Sequence, residues 1–225
     1  MESKRLTLPG QWNYEKAYGQ ADKIARERLA GIDDIEAQCR RSGTEYRVEG
    51  DQKSIIVRYL DRPYRISLPG GEIALVDGAA EVPVRDRILI LHYFLRAKGT
   101  PLSNNLITLR ELPEGSGYFP TFFNRTSQPI LNHFGKNPAL LIDASRGMGG
   151  YPADLGDTAV TIKAFTYVPI TIVLWRGDDE FPAQGSVLFD ATISDYLSTE
   201  DIVVLCETIT WKLIRYVREM EKPAS

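Results

Sequence analysis

Between Thr158 and Asp190 the chain reads as apolar stretches, T-A-V-T-I-K-A-F-T-Y-V-P-I-T-I-V-L-W and V-L-F-D, separated by R-G-D-D-E-F-P-A-Q-G-S. Runs rich in β-branched and aromatic residues at this length predict strands. The stretch is read as the centre of a β-sheet whose hairpin tip displays Asp178, Asp179 and Glu180.

Upstream, Tyr14, Ala17, Tyr18, Ala21, Ala25 and Leu29 recur at helical spacing and predict an amphipathic helix over 12–29, ended by Gly31. Asp33 is placed to cap a second helix running through Arg41, with Gly43 where a left-handed C-terminal residue is wanted. The short runs between Glu45 and Leu68, in which Tyr64, Ile66 and Leu68 alternate with polar residues, predict a meander. Glu72 to Val76 is a fourth, edge-like strand after Pro69-Gly70-Gly71.

A helix over Pro83 to Lys98 follows. Its interior, I-L-I-L-H-Y-F-L, is apolar on every face, so it must be buried, and the meander is expected to pack on it. Leu106 to Leu109 predicts a strand, Gln128 to Phe134 and Ala139 to Ser145 short helices, and the glycine-rich 146–157 a flexible loop. Ser198 and Asp201 form an S-x-x-D cap before Ile202, Leu205, Ile209, Leu213 and Val217, which predicts a long helix to Glu221.

These elements give an α+β fold in a single domain, 1–225. A mainly antiparallel β-sheet packs against a buried central helix and a long C-terminal helix, preceded by an N-terminal helical arm. The divisions are a flexible tail over 1–10, the arm over 11–43 and a sheet-and-helix core over 44–225.

Composition narrows the function classes. The 225 residues, 43% hydrophobic and 25% charged, are enough to bury roughly 70% of the unfolded chain's surface in one domain. A net charge of −3 and a pI near 5.5 leave no basic field, which argues against nucleic acid as a partner. No run approaches the roughly 20 apolar residues of a membrane span, and no apolar leader opens the chain, so a soluble, cytoplasmic protein is expected. Cys39 and Cys206 lie far apart, form no metal-ligand pair and read as small buried hydrophobes.

Candidate chemistry centres on the acids. Asp178, Asp179 and Glu180, followed by the strand-end Asp190, could converge on one point, with Trp175, Phe181 and Phe189 as aromatic walls. Their spacing does not match an EF-hand loop, and a simply polar hairpin tip is the preferred plain reading. Arg110, Tyr118 and Arg125 form a second polar-aromatic group; were 118–125 helical, Tyr118 and Arg125 would share a face. His92, in an apolar helix, reads as a satisfied core residue, and His133 offers no more. No G-x-S-x-G elbow, P-loop or Rossmann turn is present, and no metal ligand set is assigned.

Three passages resemble a known family. They are R-D-R-I-L-I-L-H-Y-F-L-R-A-K-G-T-P-L with L-R-E-L-P-E-G-S-G-Y; F-N-R-T-S-Q-P-I-L-N-H-F-G; and V-P-I-T-I-V-L-W-R-G-D-D-E-F-P-A with V-L-F-D. Together they resemble the bacterial and archaeal family catalogued as domain of unknown function 3786. The resemblance implies a cytosolic protein of prokaryotic, anaerobe-type metabolism and brings no reaction, cofactor or catalytic residue to carry over. Some members add a cysteine-rich iron–sulfur segment, from which this chain departs.

The expected function is therefore a ligand-binding or accessory protein with an acidic and aromatic pocket over 175–190. One alternative is a metal- or carboxylate-assisted hydrolase or transferase, with Arg110, Tyr118 or Arg125 holding a small anionic substrate; another is a protein-interaction scaffold. The expected partner is a small molecule, with neither nucleic acid nor membrane; a protein partner stays open and the cofactor unassigned.

Overall fold

The computed structural model describes residues 9–178 and 180–220, with side chains from residue 18 onward. Of the tail expected over 1–10, residues 1–8 lie outside the described residues, while Pro9 already opens a helix. Helix α1 spans Pro9–Ala30 and α2 Ile35–Ser42. The residue capping α2 is Asp34, not Asp33: its carboxylate accepts from the Ala37 N–H at 2.8 Å. Gly43 takes the left-handed conformation expected of it, at φ 62°.

The meander forms as an antiparallel sheet in chain order, β1 (Glu45–Glu49), β2 (Gln52–Tyr59), β3 (Arg62–Leu68) and β4 (Ile73–Leu75). Ile55, Val57 and Tyr59 alternate to one face, opposite Ile66, Tyr64 and Leu75, and all are buried. Helix α3 (Val84–Arg96) has Ile88 to Leu91, Tyr93 and Phe94 buried, as its all-round apolar surface requires. Ala25 and Leu29 of α1 and Cys39 of α2 belong to the same core.

Strands β5 (Leu106–Thr108), β6 (Tyr151–Ala153), β7 (Thr158–Phe165), β8 (Val168–Trp175) and β9 (Gln184–Asp190) make a second antiparallel sheet, ordered β5-β9-β8-β7-β6. The antiparallel strands are thus divided between two sheets. They meet where the Leu60 N–H donates to the Ala164 carbonyl at 3.0 Å and where Phe165 stacks on both Tyr59 and Tyr93. The glycine-rich 146–157 is not simply a loop, since β6 pairs there with β7.

Between β5 and β6 run α4 (Gly115–Phe122), a π-helical segment (Phe123–Ser127), α5 (Gln128–Phe134) and α6 (Ala139–Arg146). The last helix, α7 (Thr199–Met220), buries Ile202, Leu205, Ile209, Leu213 and Val217. Cys39 and Cys206 are both buried, and burial pushes both thiols up, away from reactive thiolate. Among the described residues no helix is long and apolar enough to cross a membrane.

Candidate functional site

Among the described residues, Asp178 and Glu180 of the hairpin tip are not brought together with Asp190. They stand at opposite ends of β9, whose seven residues span roughly 20 Å. At the tip, Asp178 accepts the N–H groups of Phe181 (2.7 Å) and Glu180 (2.9 Å), which hold its carboxyl below the usual carboxylate range. It therefore closes its own turn. Asp179 lies outside the described residues, Glu180 is exposed, and Phe181 is 62% exposed. Trp175 is also exposed, its ring lying over Gly156.

At the far end, Asp190 is 3% exposed and accepts five hydrogen bonds. The donors are the N–H and hydroxyl of Ser103, the N–H of Asn104, and the N–H and hydroxyl of Thr192, at 2.7–3.1 Å. A carboxylate so occupied fastens the 103–105 loop to the strand end. Of the predicted residues, Asp178 and Phe181 do line one concavity of about 1140 Å³, between the turn and α5. Among the described residues its charged lining side chains are Lys136, Arg176 and Asp178.

The second predicted group also disperses. Arg110 lies over the Phe119 ring, 3.8 Å from its centre, while Tyr118 packs partly buried against the core. Arg125 reaches Glu207 on α7 at 3.7 Å. It sits in the π-helical segment, so the seven-residue spacing from Tyr118 crosses a change of helical period.

The described structure assembles other residues instead, and His92 is at their centre. Gln38 of α2 is buried; its amide donates to the Phe94 and Ala97 carbonyls, at the end of α3 where helical carbonyls lack partners. Its carbonyl oxygen then accepts Arg41 Nε at 2.8 Å and Nη2 at 2.6 Å, fixing that guanidinium. On α3, His92, Leu95 and Arg96 share a face by their three- and four-residue spacing, and Arg96 Nε donates to the Ser194 carbonyl at 3.2 Å.

Opposite them is the N-terminus of α7. Here the predicted cap forms: the Asp201 N–H donates to Ser198 Oγ at 3.1 Å, while the Ser198 hydroxyl and N–H donate to Asp201 Oδ2. Asp201 Oδ1 meets His92 Nδ1 at 2.8 Å. Burial opposes charge on Asp201, but His92 and the Ser198 donors outweigh it and hold the carboxyl below its ordinary value. The imidazole is thereby oriented, with Nδ1 engaged.

Arg28, Ile32, Gln38, Arg41, His92, Leu95, Arg96, Ser198 and Asp201 line one open pocket of about 510 Å³. Among the described residues, no carboxylate pairs with Arg28, Arg41 or Arg96. Such an arrangement attracts anions and holds one imidazole in a fixed orientation beside them. Sequence reasoning found the Ser198–Asp201 cap but not this use of it, because His92 and Asp201 are 109 positions apart.

Among the described residues, no cluster of three or more His, Cys, Asp or Glu could hold a metal ion. Compared with known proteins, residues 34–211 match the model of the family described as Domain of unknown function (DUF3786). The matched span contains every lining residue of the pocket except Arg28 and Ile32. No curated protein and no solved structure matches the chain.

Proposed function

We propose that this chain, which belongs to the DUF3786 family, is a small-molecule-binding domain whose ligand is an anion, held in the pocket between α1, α2, α3 and the start of α7. The observation that carries the reading is the convergence on that pocket of Arg28, Arg41 and Arg96, none paired with a carboxylate among the described residues. In a chain of net charge −3, three guanidiniums at one cavity, none with a carboxylate within 4 Å among the described residues although Asp195 feels Arg96 from further off, are a local reversal of sign. The cavity volume falls within the range that small-molecule sites occupy.

The expectation of ligand binding is kept, while its location moves from the hairpin tip to a basic site. Thermal unfolding of the full chain against a panel of small anions, neutral molecules and cations, at constant ionic strength, tests this. A saturating anion at about 100 times its Kd adds about 2.7 kcal/mol, which is about 5–10 °C for a chain of this size. Arg28→Ala and Arg96→Ala should remove the shift. If no anion raises the midpoint, or if both variants respond like the parent, the reading fails.

A further inference from the structure

We infer that the anion is a phosphate monoester, with its phosphate against Arg28, Arg41 and Arg96 and its organic body against Ile32 and Leu95; this rests on the binding reading above. Three features of the pocket select that class.

The first is charge. With His92 left out of the count, the lining carries three guanidinium cations against the single carboxylate of Asp201, a surplus of two positive charges. A phosphate monoester carries about −1.5 to −2 near neutrality, whereas a single carboxylate brings −1. Without a multiply charged ligand, the three guanidiniums repel one another across the opening.

The second is the arrangement of donors. Gln38 occupies Nε and Nη2 of Arg41, and the Ser194 carbonyl occupies Nε of Arg96. Both groups are therefore oriented before any ligand arrives, with N–H donors to spare. Arg28 makes no ion pair with a described residue and keeps its whole fork. The three cations come from three different helices, and the three terminal oxygens of a phosphate monoester can meet one guanidinium each. A carboxylate can accept as many donors, but with two coplanar oxygens and a single charge it leaves more of the charge of three guanidiniums uncompensated than a phosphate monoester does.

The third is size and lining. About 510 Å³ corresponds to on the order of fifteen waters, far more than a phosphate group displaces. Ile32 and Leu95 give the rest of the space an apolar wall, and both are only partly buried. Dicarboxylates also carry two charges, but they spread them over separate planar groups. The pocket instead puts its cations beside a neighbouring apolar surface.

Isothermal titration of the full chain at fixed ionic strength separates the outcomes. The probes are inorganic phosphate, acetate, succinate, and phosphate monoesters with glycerol, sugar and aromatic bodies. Inorganic phosphate should bind at least tenfold more tightly than acetate or succinate, and at least one monoester tenfold more tightly again. Arg28→Ala, which breaks no hydrogen bond described here, should weaken all phosphate binding at least tenfold. Leu95→Ala should weaken the preferred monoester while leaving inorganic phosphate unchanged.

Succinate binding as tightly as phosphate would overturn the assigned class and leave the anion reading standing. Monoesters no tighter than inorganic phosphate would overturn the place given to the organic body. Phosphate binding untouched by both Arg28→Ala and Arg96→Ala would put the site elsewhere, and silence from every anion would remove the binding reading itself.

Discussion

Asp190 shows what one carboxylate can conceal. At the end of an apolar strand it looks like a site acid, yet five donors occupy it in a nearly inaccessible position. Burial pushes its carboxyl up, and the donors of Thr192 and Ser103 outweigh this and hold it below the usual range. Its folded pKa thus lies below the unfolded one. The contribution is present above the unfolded value, near 3.9, and is lost as pH falls through the folded value. Asp190→Asn would turn an amide N–H₂ toward N–H groups of the loop and should cost about 2–4 kcal/mol at pH 7. Urea unfolding at pH 7 and pH 3 checks both parts: a gap between parent and variant at pH 7, narrowing at pH 3. A variant as stable as the parent at pH 7 would contradict the assignment. The sequence shows four acids of similar promise, Asp178, Asp179, Glu180 and Asp190; that Asp190 is satisfied by loop N–H groups depends on the segment 103–105, nearly ninety positions away.

Elements with a regular apolar period were legible, and those made by contact were not. The stripe from Ile202 to Val217, the cap at Ser198, the meander and the Gln128–Phe134 helix follow from local pattern. Helix α4 does not, because G-S-G-Y-F-P-T-F contains two glycines and a proline. It forms because its start is pressed beneath the 3₁₀ turn at Leu109–Glu111, where a Cβ on Gly115 would stand 1.7 Å from the Leu109 carbonyl oxygen. Gly117, two residues on, has nothing within 4 Å of the same position. Gly115→Ala should therefore cost roughly 3 kcal/mol, since backbone must move, and Gly117→Ala should stabilise by about 0.5–1 kcal/mol. Chemical denaturation of the two variants decides it. Equal effects would mean that α4 is governed by propensity instead of by its close packing.

The basic pocket is illegible in the sequence because it exists only once the helices have packed. Its lining comes from α1, α2, α3 and α7 and from the residues just after α1 and just before α7, each contributing an ordinary pair or triplet three or four positions apart. Only the packing of those helices makes a site of them. That packing depends on a central aromatic column: Phe165, at the end of β7, stacks on Tyr93 of α3 with ring centres 4.1 Å apart and on Tyr59 of β2 at 4.9 Å. Tyr93 in turn stacks on Tyr196, just ahead of α7, and donates to the Ser42 carbonyl at the end of α2. One ring thus ties the second sheet to the first and, through Tyr93, to the helices that carry Gln38, Arg41 and Asp201. Phe165→Ala should cost about 3–5 kcal/mol. If the column joins both sheets into one cooperative unit, parent and variant should each unfold in a single step, with near- and far-ultraviolet circular dichroism changing at the same denaturant concentration. Two separated transitions in the parent would show that the sheets fold independently. The pocket would then depend on the first sheet and its helices alone.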